Sequence, residues 1–230
     1  MHFDEVQIWG DSILKGVVYD QVRKRYVLLK ECAVKVLSER LMVPISNHSQ
    51  MGRTAPQGLE ALKAAQGDLA NKLVVLEYGG NDCDFDWASV AERPADEHLC
   101  HTPSEVFSYT LEQLVNLVRR RGGTPALCTL PPLNAQRYLD WITRNGLSRE
   151  NILSYIGVAD RIYRWQEYYS SLVQRAAYQM RCICLPMRDA FLENVRGEDV
   201  LCLDGIHPNN LGHKLMADAA TDMAATLLLE

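Results

Sequence analysis

The chain of 230 residues predicts a parallel α/β sheet with helices on both faces. Three observations predict it. Short apolar stretches at residues 6–9, 73–76, 124–130 and 181–185, unbroken at 73–76, alternate with segments of helical apolar spacing. An unbroken apolar run too short for a buried helix is the mark of a strand covered on both faces, and strands alternating with helices belong to parallel sheets. There is also no internal repeat and no run of hairpin signals. Finally, polar residues follow the ends of the apolar runs, at Ser12, Gly52, Asn81 and Asp82 and around Pro131. In open parallel sheets that carboxyl edge is where ligands bind.

Composition bounds the rest. A hydrophobic share of 47% suffices for a sizeable core, and the length suits one domain spanning residues 1–230. A net charge of −5 gives no electrostatic reason to expect nucleic acid or an anionic membrane as a partner. The acidic start has neither a basic nor an apolar leader region, and no run of about 18 apolar residues exists, so neither a secretory signal nor a membrane span is expected. Seven cysteines make an odd set without scaffold spacing, so free thiols in a reducing cytoplasm are the expectation.

Residues 6–9 read as the first buried strand. Residues 13–26 carry a partial helical stripe at Ile13, Leu14, Val17 and Val18, interrupted by Arg23-Lys24-Arg25, a solvated face. Residues 31–41 form a better helix, ended by Pro44, and residues 43–46 suggest a short second strand. A polar loop over residues 47–54 leads to a helix with Pro56 in its first turn. Residues 72–78 form a central strand that ends in Gly79-Gly80-Asn81-Asp82.

Residues 83–103 read as a long irregular connection, the kind of loop that is either a functional lid or a surface insertion. A strong helix over 103–121, capped by Thr102 or Ser104, stops at Gly122-Gly123. The strand over 124–130 closes at Pro131-Pro132. Residues 135–145 and 147–179 read as two further helices, the second long and rich in Tyr and Trp. The last strand, 181–185, precedes a short turn or helix near 189–192. After a loop over 203–208, residues 209–229 form the closing helix, with Leu211, Leu215, Met216, Ala219 and Met223 on its apolar face.

Acyl transfer needs a nucleophile, a base, a group to orient the base, and donors for the oxyanion. Each has a candidate. Ser12 sits where a strand gives way to a helix, which exposes a hydroxyl and presents a backbone N–H. On these residues alone, helix capping by Asp11 or Ser12 is the simpler reading. His207 is the candidate base, and Asp204 lies three residues earlier, close enough for one turn to bring its carboxylate to Nδ1. The oxyanion donors would be the backbone N–H of Ser12, the backbone N–H of Gly52 and the side-chain amide of Asn81. A glycine suits close backbone approach to a ligand. Singly, Asp-x-x-His and Gly-Gly-Asn-Asp are structural more often than chemical.

Together and in this order they resemble the sequence blocks of the SGNH hydrolases, the GDSL-like lipase/acylhydrolase superfamily. Gly10-Asp11-Ser12, Gly52, Gly79-Gly80-Asn81-Asp82 and Asp204-Gly205-Ile206-His207-Pro208 carry the likeness, which spans residues 6–208. Ile13 stands where the family name has leucine, an apolar exchange that touches no chemistry. The resemblance implies a three-layer, flavodoxin-like α/β/α fold with about five strands. It also implies catalysis by Ser12, His207 and Asp204, an oxyanion hole from Ser12, Gly52 and Asn81, and no cofactor or metal. The implied substrate is a small ester or an acylated carbohydrate. Short polar loops around Gly52 and Asn81, with no preceding lid, favour a short acyl group. The competing class is a non-catalytic flavodoxin-like module that binds a ligand or partner at the same edge.

Other residues have plainer readings. His98, Cys100 and His101 with Cys83 suggest a metal only weakly, since zinc needs four well-spaced ligands. His48 is a candidate pocket residue or a loop residue. Asp82 reads as a loop anchor that bonds backbone, and Cys182 and Cys184 as small core residues. The aromatic set from Tyr138 to Tyr178 reads as core packing, with a carbohydrate platform or a homo-oligomer interface as the alternatives.

Overall fold

The computed structural model describes residues 2–41, 43–194, 197 and 199–229. In chain order, β1 (Glu5–Gly10) leads directly into α1 (Ser12–Lys15), and the hairpin strands β2 (Val17–Asp20) and β3 (Arg25–Leu28) follow. Next come α2 (Ala33–Arg40), β4 (Ile45–Asn47), α3 (Ala55–Ala64) and β5 (Lys72–Glu77). The middle of the chain holds α4 (Trp87–Glu92), α5 (Ser104–Arg120), β6 (Thr124–Cys128), α6 (Ala135–Thr143) and α7 (Arg149–Ile156). It closes with α8 (Asp160–Met180), β7 (Ile183–Leu185), α9 (Met187–Glu193) and α10 (Asn210–Leu229).

Five strands pair in the order β4-β1-β5-β6-β7, all parallel. Successive side chains of a strand point to opposite faces, so the apolar runs feed two cores. Val74, Leu76 and Leu127 pack on Leu62 of α3, Leu111 and Leu114 of α5 and Val173 of α8. Ile8, Val75 and Ala126 point the other way, against Val34 of α2, Phe191 of α9 and Met216 of α10. That burial on both faces makes the three-layer α/β/α arrangement expected from the sequence. A smaller cluster joins α4, α6 and α7 through Trp87, Val90, Tyr138 and Ile152.

Three expectations need correction. The helical stripe read over 13–26 is a one-turn helix followed by an antiparallel hairpin, β2 against β3. Gly16 ends the helix at φ 82°, and a Cβ there would lie 2.5 Å from Cβ of Cys32. Val17, Val18, Tyr26 and Val27 then favour the pleated state, as branched and aromatic residues do. Asp20 accepts from the N–H groups of Val22 and Arg23 to close the turn, so the basic cluster sits at an exposed tip.

The long helix read over 147–179 is two helices, α7 and α8, separated at Gly157-Val158-Ala159. Segment 83–103 is not wholly irregular. It contains α4, capped by the Asp86 side chain, and a bridge between Phe85 and Cys100. At smaller scale, Pro103 occupies the N-cap of α5 without a side-chain cap bond, and Leu211 of α10 is exposed rather than part of the apolar face.

Candidate active site

The site is built at the carboxyl ends of β1, β5 and β6. At the end of β1, Asp11 is the N-cap of α1: its Oδ1 accepts the N–H of Ile13 at 2.8 Å. Capping therefore falls to Asp11, and Ser12 becomes the first helical residue with its hydroxyl uncommitted to the helix. Its backbone N–H lies in the first turn, where donors have no intrahelical acceptor. Ser12 Oγ is 2.9 Å from Nε2 of His207.

His207 is placed by the turn that precedes α10. Its Nδ1 lies 2.7 Å from Oδ2 of Asp204, while Oδ1 of Asp204 accepts the backbone N–H groups of Ile206 and His207, both at 3.1 Å. Gly205 makes this turn possible. Its φ is 76°, and a Cβ there would lie 2.7 Å from Cβ of Arg137 and 2.8 Å from the Asn134 carbonyl. The N–H of Asn134 donates to the Gly205 carbonyl at 2.8 Å, which ties the turn to the start of α6.

Asp204 is fully buried. Burial alone would raise its pKa, but hydrogen bonds from His207 and the two backbone N–H groups outweigh that and hold it below the ordinary carboxylate value. A further donor is the phenol of Tyr26, 3.0 Å from Oδ2 of Asp204. Burial first, and then the Asp204 charge, push that phenol upward, which keeps it protonated and donating. The Tyr26 ring lies 5.1 Å from the His207 ring and belongs to an aromatic group with Tyr19 and Trp141. Tyr26 escapes a sequence reading that assigns its segment to a helix; the alternation Tyr19…Tyr26-Val27 around a charged turn is the signal that would have found it.

Asn81 follows β5. Its Nδ2 donates to Oδ2 of Asp11 at 2.9 Å and lies 3.4 Å from the Arg53 carbonyl, and its own carbonyl meets Nδ1 of His101 at 3.0 Å. One amide hydrogen is thus well bound and the second only loosely. Gly52 lies in the turn after β4 at φ 76°, exposed, with the Arg53 N–H bonded to the Gln50 carbonyl. Through Arg53 this turn reaches Asn81. Ser12, His207 and Asp204 are therefore joined by direct contacts and Asn81 is tied to the Ser12 turn through Asp11, whereas Gly52 is linked only through its neighbour and is not among the cavity-lining residues.

Glu77, at the end of β5, is a residue the sequence reading passed over. It is buried beneath the Ser12 turn, and its Oε2 lies 3.5 Å from the Asp11 backbone N. Burial, and then the nearby Asp11 carboxylate, push its pKa well above the usual carboxylate range. Asp11 is also raised by burial, an effect the Ile13 N–H and the neighbourhood of His207 oppose. A lone acid closing the apolar run Leu73-Val74-Val75-Leu76 was the available clue.

The remaining candidates have structural partners. Both oxygens of Asp82 accept the N–H of Ala55, at 2.9 and 3.1 Å, which anchors the start of α3. His48 stacks on Trp9 with centroids 4.3 Å apart and does not line the cavity. His98 binds the Arg93 carbonyl, Cys83 the Gly80 carbonyl, and Cys100 lies against Tyr169. Among the described residues, no group of three or more His, Cys, Asp or Glu could hold a metal, and no helix is long and apolar enough to cross a membrane.

Ser12, Asn81 and His207 share the wall of a cavity of about 550 Å³. The arrangement can do acyl-transfer chemistry: a hydroxyl, an imidazole in contact with it, a buried carboxylate behind the imidazole, and nearby amide donors.

A family model described as the GDSL-like Lipase/Acylhydrolase family matches residues 8–215. No curated protein matches the chain. Solved structures are similar in fold. One, a member of the lipolytic protein G-D-S-L family from Veillonella parvula, is 15% identical, with TM-score 0.65 and coverage of 95% of this chain and 96% of that one. LAE5, described as an alpha/beta hydrolase enzyme from the metagenome of Lake Arreo, is 22% identical, with TM-score 0.65 and coverage of 99% and 96%. A catalytic mutant of Axe2, an acetylxylan esterase from Geobacillus stearothermophilus, is 17% identical, with TM-score 0.64 and coverage of 96% and 94%.

Proposed function

The chain belongs to the GDSL-like lipase/acylhydrolase family and is by that membership a carboxylic ester hydrolase, and from this we propose that it works through a Ser12-His207-Asp204 triad and an acyl-enzyme. The observation that carries the reading is the unbroken line from Ser12 Oγ through the His207 ring to Asp204, at 2.9 and 2.7 Å. In the first step His207 Nε2 takes the Ser12 proton as Oγ attacks the ester carbonyl. The Ser12 backbone N–H and the Asn81 amide receive the oxyanion, and the Gly52 N–H, from a turn outside the cavity wall, is the third donor that the family resemblance implies. The tetrahedral intermediate collapses when His207 returns the proton to the leaving alcohol. Water, deprotonated by His207, then attacks the acyl-Ser12 ester, and the carboxylic acid leaves as Ser12 recovers its proton. The base and each oxyanion donor contribute on the order of 10² or more in rate.

Asp204 orients the imidazole and stabilises the imidazolium without itself taking a proton. Its depressed pKa supports that role. Short-chain esters, acetyl esters of carbohydrates among them, are the base substrates of this reading, supported by the fold shared with an acetylxylan esterase. Seven free thiols support a reducing, cytoplasmic setting.

The test is direct: the purified chain is assayed with p-nitrophenyl acetate. Turnover is the expected result. A flavin-coloured protein without esterase activity would instead support a binding module.

A further inference from the structure

We propose that the cavity beside Ser12 is an acyl-binding site for an apolar group larger than acetyl, alkyl or aryl. The proposal rests on the acyl-enzyme reading above and replaces its short-chain preference with a larger acyl group. At about 550 Å³ the cavity lies in the range that encloses most of a drug-sized ligand. An acetyl group fills a small part of such a volume.

Its chemistry is set by five aromatic side chains, Phe85, Trp87, Tyr138, Tyr155 and Trp165. Four of these have a polar tip, and each tip is spent on the protein. Trp87 Nε1 donates to Oδ1 of Asp84 at 2.7 Å, and the Tyr138 hydroxyl donates to Oδ2 of Asp84 at 2.6 Å. The Tyr155 hydroxyl donates to the His98 carbonyl and Trp165 Nε1 to the Cys83 carbonyl, both at 3.0 Å. With both indole N–H groups and both phenol protons used, what these side chains offer is mainly ring carbon. Phe85 stands among them, with centroids 5.4 Å from Trp87, 6.1 Å from Tyr155 and 6.3 Å from Trp165. The wall is thus held by mutual ring contacts and fixed hydrogen bonds.

Two polar side chains of the lining, Asp84 and Gln166, are committed as well, while Ser104, Glu105 and Arg161 also line the cavity. Both carboxylate oxygens of Asp84 are engaged, and Gln166 is held between the Pro131 carbonyl and Arg188. A sugar set against the five rings would find few free polar partners there, which costs more the further it is desolvated, whereas an alkyl or aryl group needs none. The half of the ester that stays on Ser12 through both steps is the acyl half. It is the half that gains from a formed wall, because the alcohol and the incoming water must reach His207 from solvent. Segment 83–103 supplies Phe85 and Trp87, so it acts as the specificity element of the site.

The experiment is a series of p-nitrophenyl esters, from acetate through butyrate and hexanoate to octanoate, with benzoate alongside. Each buried methylene is worth about fourfold in kcat/KM. The expected result is a rise of at least tenfold from acetate to octanoate, with benzoate also above acetate. A maximum at acetate followed by a steady fall would overturn the proposal and leave the esterase reading intact. A second series varies the alcohol instead, from methyl to octyl acetate. A rise there without one in the acyl series would assign the cavity to the alcohol and overturn the acyl assignment. Hydrolysis of no ester at all would overturn both readings. The half-buried Leu133 lines the cavity. Leu133→Trp, checked by its thermal midpoint, is expected to lower the octanoate-to-acetate ratio at least tenfold. An unchanged ratio in the folded variant counts against the site, and the wild-type series decides if the variant does not fold.

Discussion

The Tyr26 hydroxyl lies 3.0 Å from Oδ2 of Asp204, the same oxygen that faces Nδ1 of His207 at 2.7 Å. The hairpin that follows the Ser12 helix therefore reaches across to the opposite end of the chain and shares the carboxylate that orients the imidazole. With the two backbone N–H groups on Oδ1, the buried charge of Asp204 is met by four donors. Hydrogen bonds to a charged group are worth about 1.5–3 kcal/mol.

Tyr26→Phe keeps the ring contacts and removes that donor. The charge on Asp204 then concentrates toward His207 and favours the imidazolium, so the acidic limb of the kcat/KM profile should move to higher pH by about half a unit. Asp204 is also held less firmly without the phenol, and the poorer orientation of the imidazole should lower kcat about 5- to 20-fold with KM little changed. A uniform drop in activity with an unmoved limb would mean that Tyr26 serves packing alone.

Asn81→Ala tests the oxyanion assignment. It is expected to lower kcat by about 10²–10³ with a small change in KM. It also strips Asp11 of the donor at 2.9 Å, so a stability loss of about 1–3 kcal/mol by urea denaturation accompanies it. Activity within threefold of wild type would remove Asn81 from the oxyanion site.

Gly205→Ala probes the turn that carries both Asp204 and His207. A Cβ would meet Cβ of Arg137 and the Asn134 carbonyl, at a positive φ of 76°. The substitution should cost about 1–3 kcal/mol, and a displacement of about 1 Å at His207 would lower kcat about 10²-fold. Wild-type kcat in a folded Gly205→Ala protein would show that the turn tolerates the side chain.

Glu77 makes a prediction about pH. Its folded pKa is raised well above 4.5, so the native protein keeps a proton that the unfolded chain releases. Its contribution is fully present below about pH 4.5 and is lost as pH rises through the folded value, at up to about 1.4 kcal/mol per pH unit. Glu77→Gln mimics the protonated acid and removes that slope. Urea denaturation at pH 5, 6.5 and 8 should show the variant gaining on wild type as pH rises. Parallel pH dependences would mean that Glu77 is ionised in the fold.

The sheet was legible in the sequence because both of its faces are buried, so strands such as Leu73-Val74-Val75-Leu76 are unbroken apolar runs. Ser12, Asn81, Asp204 and His207 were legible because their types and spacing suit one reaction and each follows a turn. The hairpin was not, since Val17 and Val18 fit a helical stripe as well as a strand, and only the Gly16 turn decides between them. Tyr26 was hidden with it. The cavity was hidden for a different reason: its aromatic wall is assembled from 83–103, α6, α7 and α8, and no local pattern reports which rings meet. The loop beside Gly52 is polar, but Gly52 does not line the cavity, which Asn81 and the segment 83–103 do.

The central claim is that Ser12 is the nucleophile. Intact protein treated with an alkyl fluorophosphonate and analysed by peptide mass spectrometry should carry one adduct, on Ser12, with esterase activity lost in step. Ser12→Ala should take up no label, hydrolyse no p-nitrophenyl acetate above background, and unfold at the wild-type midpoint. Labelling at another residue, or undiminished turnover by a folded Ser12→Ala protein, would contradict it.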